Sequence, residues 1–256
     1  MKMKKFWRIL KYLFLTGVLV LSMIGCFLLS YLMGIEEWKT YDPQETADLM
    51  LSSEFFDNEG EVFARLYAEE DRLFCEIESL PEHVKNAFIA IEDARFYTHP
   101  GIDIIRIGGA LIEDLRSGSL AQGASTISQQ VVKLSALSGK RTISRKLTEI
   151  MMAFKLEQRF SKDEILELYL NIAYFGNGAY GIETAAEKYF GKNAAELSIS
   201  EAATLAGVGK APSNYAPHIK PENSLRRRNL VLTQMLHYGF ISQKDYEKAR
   251  TDTLVL

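Results

Sequence analysis

The sequence predicts a mainly α-helical domain that follows one transmembrane helix and a short segment with a β hairpin. Three observations support this prediction. A long uncharged apolar run lies near the N-terminus, apolar residues recur at helical spacing through most of residues 81–256, and strand-like runs flank a turn near residues 55–63. Apolar residues make up 47% and charged residues 25% of the 256 residues, a composition typical of a folded globular protein.

The uncharged run covers residues 12–35. A hydrocarbon core about 30 Å thick needs roughly 20 apolar residues in a helix, so this run is long enough to span a bilayer with some tilt. Five cations and no acid lie in residues 1–11, and Lys and Arg favour the cytoplasmic side. We therefore expect a single-pass plasma-membrane protein with a cytoplasmic basic tail, residues 1–11, and an extracytoplasmic body.

Three alternatives to the anchor are weaker. A cleaved signal peptide has a shorter apolar core and a small-x-small exit, which Leu32-Met33-Gly34 does not provide. A lipoprotein signal ending at Cys26 does not fit, because the chain stays apolar for nine residues beyond it. A buried soluble helix is disfavoured by the flanking charges.

The charge of the body excludes one class of partner. Residues 36–256 carry 25 basic and 33 acidic residues, a net charge of −8. Nucleic-acid binding depends on a basic surface that neutralises phosphates, so no nucleic-acid partner is expected. The two cysteines, Cys26 and Cys75, are expected to be free thiols because they form no disulfide framework.

The body divides into a connector with a β hairpin, residues 36–80, and a helical domain, residues 81–256. In the connector, turn residues 57–60 separate two β-favouring runs. In the domain, apolar spacing predicts helices separated by Gly- and Pro-containing joints. The predicted helices cover residues 84–93, 104–115, 126–133, 145–158, 162–171, 181–189, 200–208, 225–238 and 242–250.

Carboxylates are the most numerous candidate catalytic groups. The four histidines are scattered, with no pair at metal-ligand spacing, so a zinc site is not expected. The chain contains no Ser-x-x-Lys, Lys-Thr-Gly or Gly-x-Ser-x-Gly, so acyl transfer through a serine nucleophile has no support.

Glu92 is the first candidate. It lies where a predicted helix ends in the stretch Asp93 to Gly101, next to aromatic residues. A carboxylate in such surroundings is suited to proton transfer. The alternative is a Glu-Asp pair on the surface with no function.

The second candidate is the start of the predicted helix at Thr126. A Gly-containing turn that leads into Ser125 and Thr126 presents backbone N–H groups and hydroxyls to an anion. Gln129 and Lys133, four residues apart, lie on one face of that helix. An ordinary N-cap is the alternative.

The third candidate combines Arg145, Lys146 and Glu149. Arg145 and Glu149 are four residues apart, which also suits a solvated ion pair on a helix. Alternatively the two cations bind a pyrophosphate, which Arg grips as a fork and Lys as a point charge.

Together these stretches resemble the motifs of the peptidoglycan glycosyltransferases, the family of the N-terminal domains of class A penicillin-binding proteins and of the monofunctional biosynthetic transglycosylases. Five motifs occur in the family's order over roughly residues 80–240, which makes coincidence negligible. The first three contain Glu92, Asp93, Phe96, His99 and Gly101; Gly123, Ser125, Thr126, Gln129, Gln130 and Lys133; and Arg145, Lys146 and Glu149. The last two contain Lys162, Glu167, Tyr169, Asn171, Gly176 and Gly181; and Glu201, Ala202, Ala203, Leu205, Gly207 and Pro212.

The resemblance implies a lysozyme-like bilobal fold whose smaller lobe partly dips into the membrane. Residues 102–115 are the candidate for this lobe, and a plain core helix is the alternative for that stretch. It also implies polymerisation of lipid II into glycan strands by inverting transfer, with release of undecaprenyl pyrophosphate. In that picture Glu92 is the general base. Glu149 supports departure of the pyrophosphate, directly or by holding Mg²⁺ or Mn²⁺, and no organic cofactor is implied.

The resemblance also assigns binding and structural residues. The implied pyrophosphate partners are Lys133, Arg145 and Lys146, helped by Ser125, Gln129 and Gln130. The implied structural residues are Asp93, Phe96, His99, Gly101, Gly123, Thr126, Tyr169, Asn171, Gly176 and Gly181. The implied partners are lipid II, the nascent glycan, the bilayer, and other wall-synthesis and division proteins.

Three positions depart from the family pattern. Ser128 replaces a common Thr, Leu134 replaces a common Asn, and Gly109 stands where some members have Arg. Arg106 lies one helical turn earlier. It is our candidate for contacting the substrate phosphate that an Arg at position 109 would contact.

Three functions are compared. The first is the glycan polymerase. The second is a lytic transglycosylase or lysozyme-like hydrolase, which shares a helical fold and a catalytic Glu. The third is an inactive membrane scaffold of the wall-synthesis complex. Without Ser-x-x-Lys, we expect no transpeptidase activity and no covalent acylation by penicillin.

Overall fold

The computed structural model describes residues 2–48, 53–56, 62–66, 73–117, 125–137 and 142–253. Over these ranges the chain is mainly helical and contains two small antiparallel sheets, which confirms the predicted mainly α class with a β hairpin. The helices are α1 Lys2–Met33, α2 Glu37–Thr40, α3 Pro43–Asp48, α4 Glu82–Glu92, α5 Ile104–Ser117, α6 Ile127–Ser135, α7 Ile143–Arg159, α8 Lys162–Ile172, α9 Ile182–Phe190, α10 Ile199–Val208, α11 Pro212–Tyr215, α12 Pro221–His237 and α13 Gln243–Thr251.

The first sheet is the predicted hairpin. Strand β1 (Ser53–Phe56) pairs antiparallel with β2 (Val62–Leu66), with the register shifted by an irregularity next to Phe56. The predicted turn between them lies outside the described residues.

The second sheet was not predicted. Strand β3 (Tyr174–Gly176) pairs with β4 (Ala179–Tyr180) across a two-residue turn. Asn177 and Gly178 in that turn have φ of 54° and 68°, the left-handed conformation that short hairpin turns require. The hairpin follows α8 directly and so shapes the chain next to the candidate site.

The N-terminal helix α1 contains most of the predicted anchor, residues 12–35, and exposes apolar side chains such as Leu13, Phe14 and Leu19. Across the part of the chain that the structure describes, no helix combines the length and the apolar character needed to cross a bilayer. The transmembrane anchor therefore stays a prediction.

The connector is packed against the domain, through two short helices that the sequence did not predict. The ammonium of Lys155 on α7 donates to the carbonyl oxygens of Lys39, at 2.8 Å, and Tyr41, at 3.3 Å. The buried hydroxyl of Tyr41 lies 2.9 Å from that of Thr46, which lies 3.2 Å from Ser135 at the end of α6. Residues 37–48 are thus tied to the two helices that carry the second and third motifs.

Helix α4 lies at the centre of the domain, against α10 and α12. Its apolar spacing buries Val84, Ala87 and Phe88. Helix α10 is buried from Ser200 to Val208, and its small residues, such as Ala202 and Ala203, allow close helix packing. Glu92 therefore stands at the end of a helix held firmly by the core.

The predicted helices of the domain are all present, with ends that differ by a few residues. Thr126, Ser161 and Ser198 begin three of them with capping boxes, which explains why these helices start where they do. Cys26 and Cys75 are both free thiols, as predicted. Burial raises the pKa of Cys75 to about 11.

Candidate active site

Glu92 is the last residue of α4. Its carboxylate Oε2 accepts a hydrogen bond of 2.8 Å from the side-chain amide of Gln130 on α6. Its backbone carbonyl accepts a hydrogen bond from the guanidinium of Arg106 on α5. The carboxylate of Glu92 also lies near the buried phenol of Tyr169. Burial is the main cause that raises the pKa of Tyr169 well above its ordinary value, and the charge of Glu92 adds to it.

Asp93, fully buried, fixes the chain that follows the candidate base. Its Oδ2 accepts a hydrogen bond of 3.0 Å from the backbone N–H of Ile127. Nε2 of His99 lies 3.0 Å from each carboxylate oxygen. One carboxylate thereby joins the end of α4, the loop of residues 93–101 and the start of α6.

The start of α6 is a complete capping box. The Thr126 hydroxyl accepts from the N–H of Gln129 at 3.2 Å, and Oε1 of Gln129 accepts from the N–H of Thr126 at 3.0 Å. The Thr126 hydroxyl also donates to the carbonyl of Gly101 at 2.6 Å. Gln129 is 1% exposed, so here it holds the helix start rather than facing solvent, and its predicted contact with pyrophosphate stays a prediction. Gly123 lies outside the described residues.

A second group of polar contacts involves Ser125, two residues before α6. The ammonium of Lys146 on α7 donates to the hydroxyl of Ser125 at 2.9 Å and forms an ion pair with Glu149. Glu149 is buried, at 6% exposure, whereas Lys146 is exposed. Arg145 donates to the carbonyl of Leu137 at 3.4 Å. The third motif therefore brings one cation onto the residue that precedes α6.

Helix α6 links the two groups. Gln130, in its first turn, reaches Glu92, while Ser125, just before the helix, reaches Lys146. Lys133 follows Gln130 by three residues, so it lies on the neighbouring part of the same face, partly buried. Residues from the first three motifs, distant in sequence, thus meet around one helix start.

Three of the predicted structural residues lie in α8, at the end of β3 and just before α9. Asn171 accepts from the N–H of Cys75 and donates to its carbonyl, both at 2.9 Å. Gly176 has φ of 83°, and a Cβ there would lie 2.6 Å from Cβ of Pro212. The N–H of Gly181 donates to the carbonyl of Ala173 at 2.9 Å. The structural roles that the resemblance implied for these residues stay predictions.

Arg106 lies beside Glu92. Its backbone N–H donates to Asp103 at 2.7 Å, and Asp103 also pairs with Arg95. Arg106, Arg95 and Tyr238 help to line a cavity of about 380 Å³ next to the end of α4. The carboxylate of Asp103, bonded to Arg95, lines the same cavity.

Sequence reasoning did not find Glu157. Its carboxylate accepts hydrogen bonds from the hydroxyl of Ser128 and from the ammonium of Lys162, the latter at 2.6 Å. No spacing rule pairs Glu157 with Lys162, because they lie on different helices around the α7–α8 junction. Lys162 had been noted in the fourth motif without a role.

The divalent metal ion that the resemblance implies would have few protein ligands here. Within the described ranges no three His, Cys, Asp or Glu side chains come together closely enough to hold one. Mg²⁺ is commonly held by one or two carboxylates together with substrate phosphates. Glu149 fits as a single carboxylate of that kind if phosphate oxygens complete the ligand set. The ion pair between Glu149 and Lys146 must then break.

Fold and site together define a helical domain in which a carboxylate, Glu92, and a cation, Lys146, are each bonded to a residue at the start of one helix. A family model described as "Transglycosylase" matches residues 59–236. The chain belongs to this transglycosylase family of peptidoglycan glycosyltransferases.

Relatives from three bacteria agree with this assignment. The chain is 44% identical to penicillin-binding protein 1A/1B of Bacillus subtilis, over 93% of this chain and 25% of that protein. It is 47% identical to penicillin-binding protein 1A of Aquifex aeolicus, over 77% and 27% respectively. Penicillin-binding protein 1A of Escherichia coli is 42% identical, over 80% and 24%. The chain spans about a quarter of the length of these relatives.

Proposed function

We propose that the protein polymerises lipid II into glycan strands by inverting glycosyl transfer and releases undecaprenyl pyrophosphate. The observation that carries this proposal is the geometry of α6, which reaches Glu92 through Gln130 and lies next to Ser125, the partner of Lys146. A base on one side and cations on the other are what attack on a pyrophosphate-activated sugar requires.

In the proposed reaction Glu92 takes the proton of the acceptor's sugar hydroxyl. The hydroxyl oxygen forms a bond to the donor's anomeric carbon, and the bond from that carbon to the pyrophosphate oxygen breaks. Attack on the face opposite the leaving group inverts the configuration, as in other single-displacement glycosyl transfers. The proton resides on Glu92, and the electron pair leaves with the pyrophosphate.

Lys133, Arg145 and Lys146 are the proposed partners of that pyrophosphate, with Ser125 and Gln130 in support. Lys146 is the best supported, because its ammonium is exposed and already bonded to Ser125. When the ammonium of Lys146 turns toward the phosphates, its ion pair with Glu149 keeps it close to them. Arg106 is proposed to contact an anionic part of the substrate from the cavity beside Glu92.

A divalent cation is proposed as an aid to departure, held by Glu149 together with phosphate oxygens. It would supply positive charge to the leaving group. Polymerisation measured with EDTA, and then with added Mg²⁺ or Mn²⁺, tests this proposal. An unchanged polymerisation rate in EDTA would contradict a role for the metal. The cationic side chains would then be the proposed stabilisers of the leaving pyrophosphate.

The lytic or lysozyme-like alternative is less well supported. Cleavage of finished glycan involves no leaving pyrophosphate and so does not need the cations at Lys146 and Arg145. Incubation with lipid II and, separately, with purified wall distinguishes the two. New polymer supports the proposal, whereas shortened wall glycan without new polymer contradicts it. An inactive scaffold would give neither product.

We further propose that α1 anchors the protein in the plasma membrane, with residues 1–11 in the cytoplasm and the domain outside. The uncharged sequence of residues 12–35 and its exposed side chains support this proposal. A lysozyme-like arrangement of two lobes, with α5 dipping into the bilayer, belongs to the same proposal. So does association with other wall-synthesis and division proteins.

A topology experiment tests the anchor. Single cysteines, placed at exposed positions of the domain such as Lys244→Cys in a chain with Cys26 and Cys75 replaced by Ser, should react with a membrane-impermeant maleimide in spheroplasts. A cysteine in residues 1–11 should react with the maleimide only after the spheroplasts have been lysed. The reverse pattern would contradict the orientation.

A further inference from the structure

We propose that the ion pair between Glu157 and Lys162 positions the general base, by holding the loop of residues 93–101 against α6. Neither residue touches substrate in this scheme; both act through Glu92 and Gln130. The inference deepens the proposed function and rests on it for its kinetic test.

Lys162, at the start of α8, holds two points of the loop. Its ammonium donates to the carbonyl of His99 at 2.7 Å and lies 4.4 Å from the ring centroid of Phe96, which is fully buried. A cation over an aromatic face at this distance is attractive, more so when both are shielded from water. The same ammonium is 2.6 Å from Glu157.

Glu157, near the end of α7, connects that cation to α6 and to the end of the loop. It accepts a hydrogen bond from the hydroxyl of Ser128. A Cβ on Gly101 would come within 3.2 Å of Cγ of Glu157, so the loop packs directly on this side chain. Ser128 provides the hydroxyl that the family's common Thr would also provide.

The loop and α6 are the two elements that determine how Glu92 meets Gln130. Thr126 and Asp93 already join them, through hydrogen bonds to Gly101 and from Ile127. The Glu157–Lys162 pair adds a third connection, through Ser128 on α6 and the carbonyl of His99 in the loop. If that connection is lost, the 2.8 Å contact between Gln130 and Glu92 is no longer fixed by the rigid α7–α8 junction.

The ion pair is well shielded, with side-chain exposures of 9% for Glu157 and 19% for Lys162. Removal of one partner leaves an uncompensated charge in a poorly solvated place, which destabilises the fold, whereas removal of both partners relieves that penalty. The stability and kcat of the single and double variants can therefore distinguish a positioning role from a purely structural one.

The kinetic experiment compares lipid II polymerisation by the full chain and by Lys162→Met. We expect kcat to fall about tenfold or more, because small displacements of catalytic groups are costly. We expect KM to change by less than about threefold, because the substrate-binding residues are untouched. Lys162→Arg keeps the charge, the donors and the stacking and should recover most of the lost kcat.

The matched control is Lys192→Met. Lys192 forms an ion pair of 2.7 Å with Glu201 elsewhere in the domain, with a buried carboxylate as in Glu157–Lys162. Its kcat should stay within about twofold of the parent, because distant sites contribute independently. An equal loss in this control would show that any lost ion pair lowers activity, and would contradict the proposal.

The decisive variant is Glu157→Gln/Lys162→Met. A positioning role predicts that thermal stability recovers relative to Lys162→Met while kcat stays low. Recovery of kcat to within about twofold of the parent, together with stability, would show that the pair acts only through the fold and would overturn the proposal. A kcat of Lys162→Met equal to that of the parent would do the same.

Amide hydrogen exchange tests the positioning separately from catalysis. In Lys162→Met, protection of the Phe96 and Ile127 amides, which bond to Asp93, should fall about tenfold or more relative to amides of α10. If the parent makes no polymer, the proposed function fails and this exchange result alone decides the inference. Unchanged protection at both amides would contradict it.

Discussion

The side-chain amide of Gln130 donates a hydrogen bond of 2.8 Å to the carboxylate of Glu92, joining the first and second motifs. The two residues are 38 positions apart and belong to different helices. Helix α4 packs in the core, and α6 is joined to the end of α4 by the hydrogen bond from Ile127 to Asp93. The contact places the carboxylate of Glu92 against the first turn of α6.

Asp93 should be a stability residue as well as a site residue. Asp93→Ala removes the acceptor of the buried Ile127 N–H and the partner of His99. We expect the free energy of unfolding to fall by about 2 kcal/mol or more, the cost of leaving buried donors unpaired. Chemical denaturation of the full chain in detergent measures it.

Asp163→Ala is the control for Asp93→Ala. Asp163 is exposed and accepts a hydrogen bond from Tyr97 at 2.8 Å, so its loss should cost less than about 0.5 kcal/mol. Equal losses for the two variants would contradict the central place given to Asp93.

Gly176 should not tolerate a side chain. Its φ is 83°, and a Cβ would lie 2.6 Å from Cβ of Pro212, so Gly176→Ala combines backbone strain with a clash. We expect a loss of about 3 kcal/mol in the free energy of unfolding, again by chemical denaturation. Gly239→Ala, at φ 73° with nothing within 4 Å, should lose about 1 kcal/mol from strain alone. If both variants lose the same amount, the contact with Pro212 is not restrictive.

Asp103 should contribute a pH-dependent term to stability. Burial by itself raises the pKa of Asp103, but hydrogen bonds from the Arg95 side chain and the Arg106 N–H outweigh it and lower the pKa below its ordinary value. A lowered pKa in the folded state means that the stabilisation is present above the unfolded pKa, about 4, and is lost as pH falls through the folded pKa.

The comparison of the parent with Asp103→Asn tests this sign. The difference between their free energies of unfolding should be largest near about pH 6 and should shrink toward about pH 2. A difference that is constant over that range, or grows on acidification, would show that the Asp103 carboxylate is not stabilised in its ionised form.

Much of the fold was predictable because its signals are local. The apolar spacing in α4 and the Ser or Thr caps of α6, α8 and α10 predict those helices without knowledge of the tertiary structure. The β3–β4 hairpin was missed although Asn177-Gly178 is a strong signal for such a turn, because the strands around it are only three and two residues long.

The candidate site was predictable as a set of residues but not as a set of contacts. Spacing on one helix suggested Arg145 as the partner of Glu149, whereas the ion pair that holds Glu149 comes from Lys146. Neither the bond of Lys146 to Ser125 nor the Glu157–Lys162 pair has a sequence signal, because each joins elements that only the tertiary packing brings together.

The most direct test of the account is the rate of lipid II polymerisation by Glu92→Gln. Glutamine keeps an oxygen that can accept from Gln130 but cannot take a proton, so we predict that kcat falls by about a hundredfold or more. Glu82→Gln, at the exposed start of the same helix, should match the parent. If Glu92→Gln polymerises lipid II at the parent rate, Glu92 is not the general base and the account is contradicted.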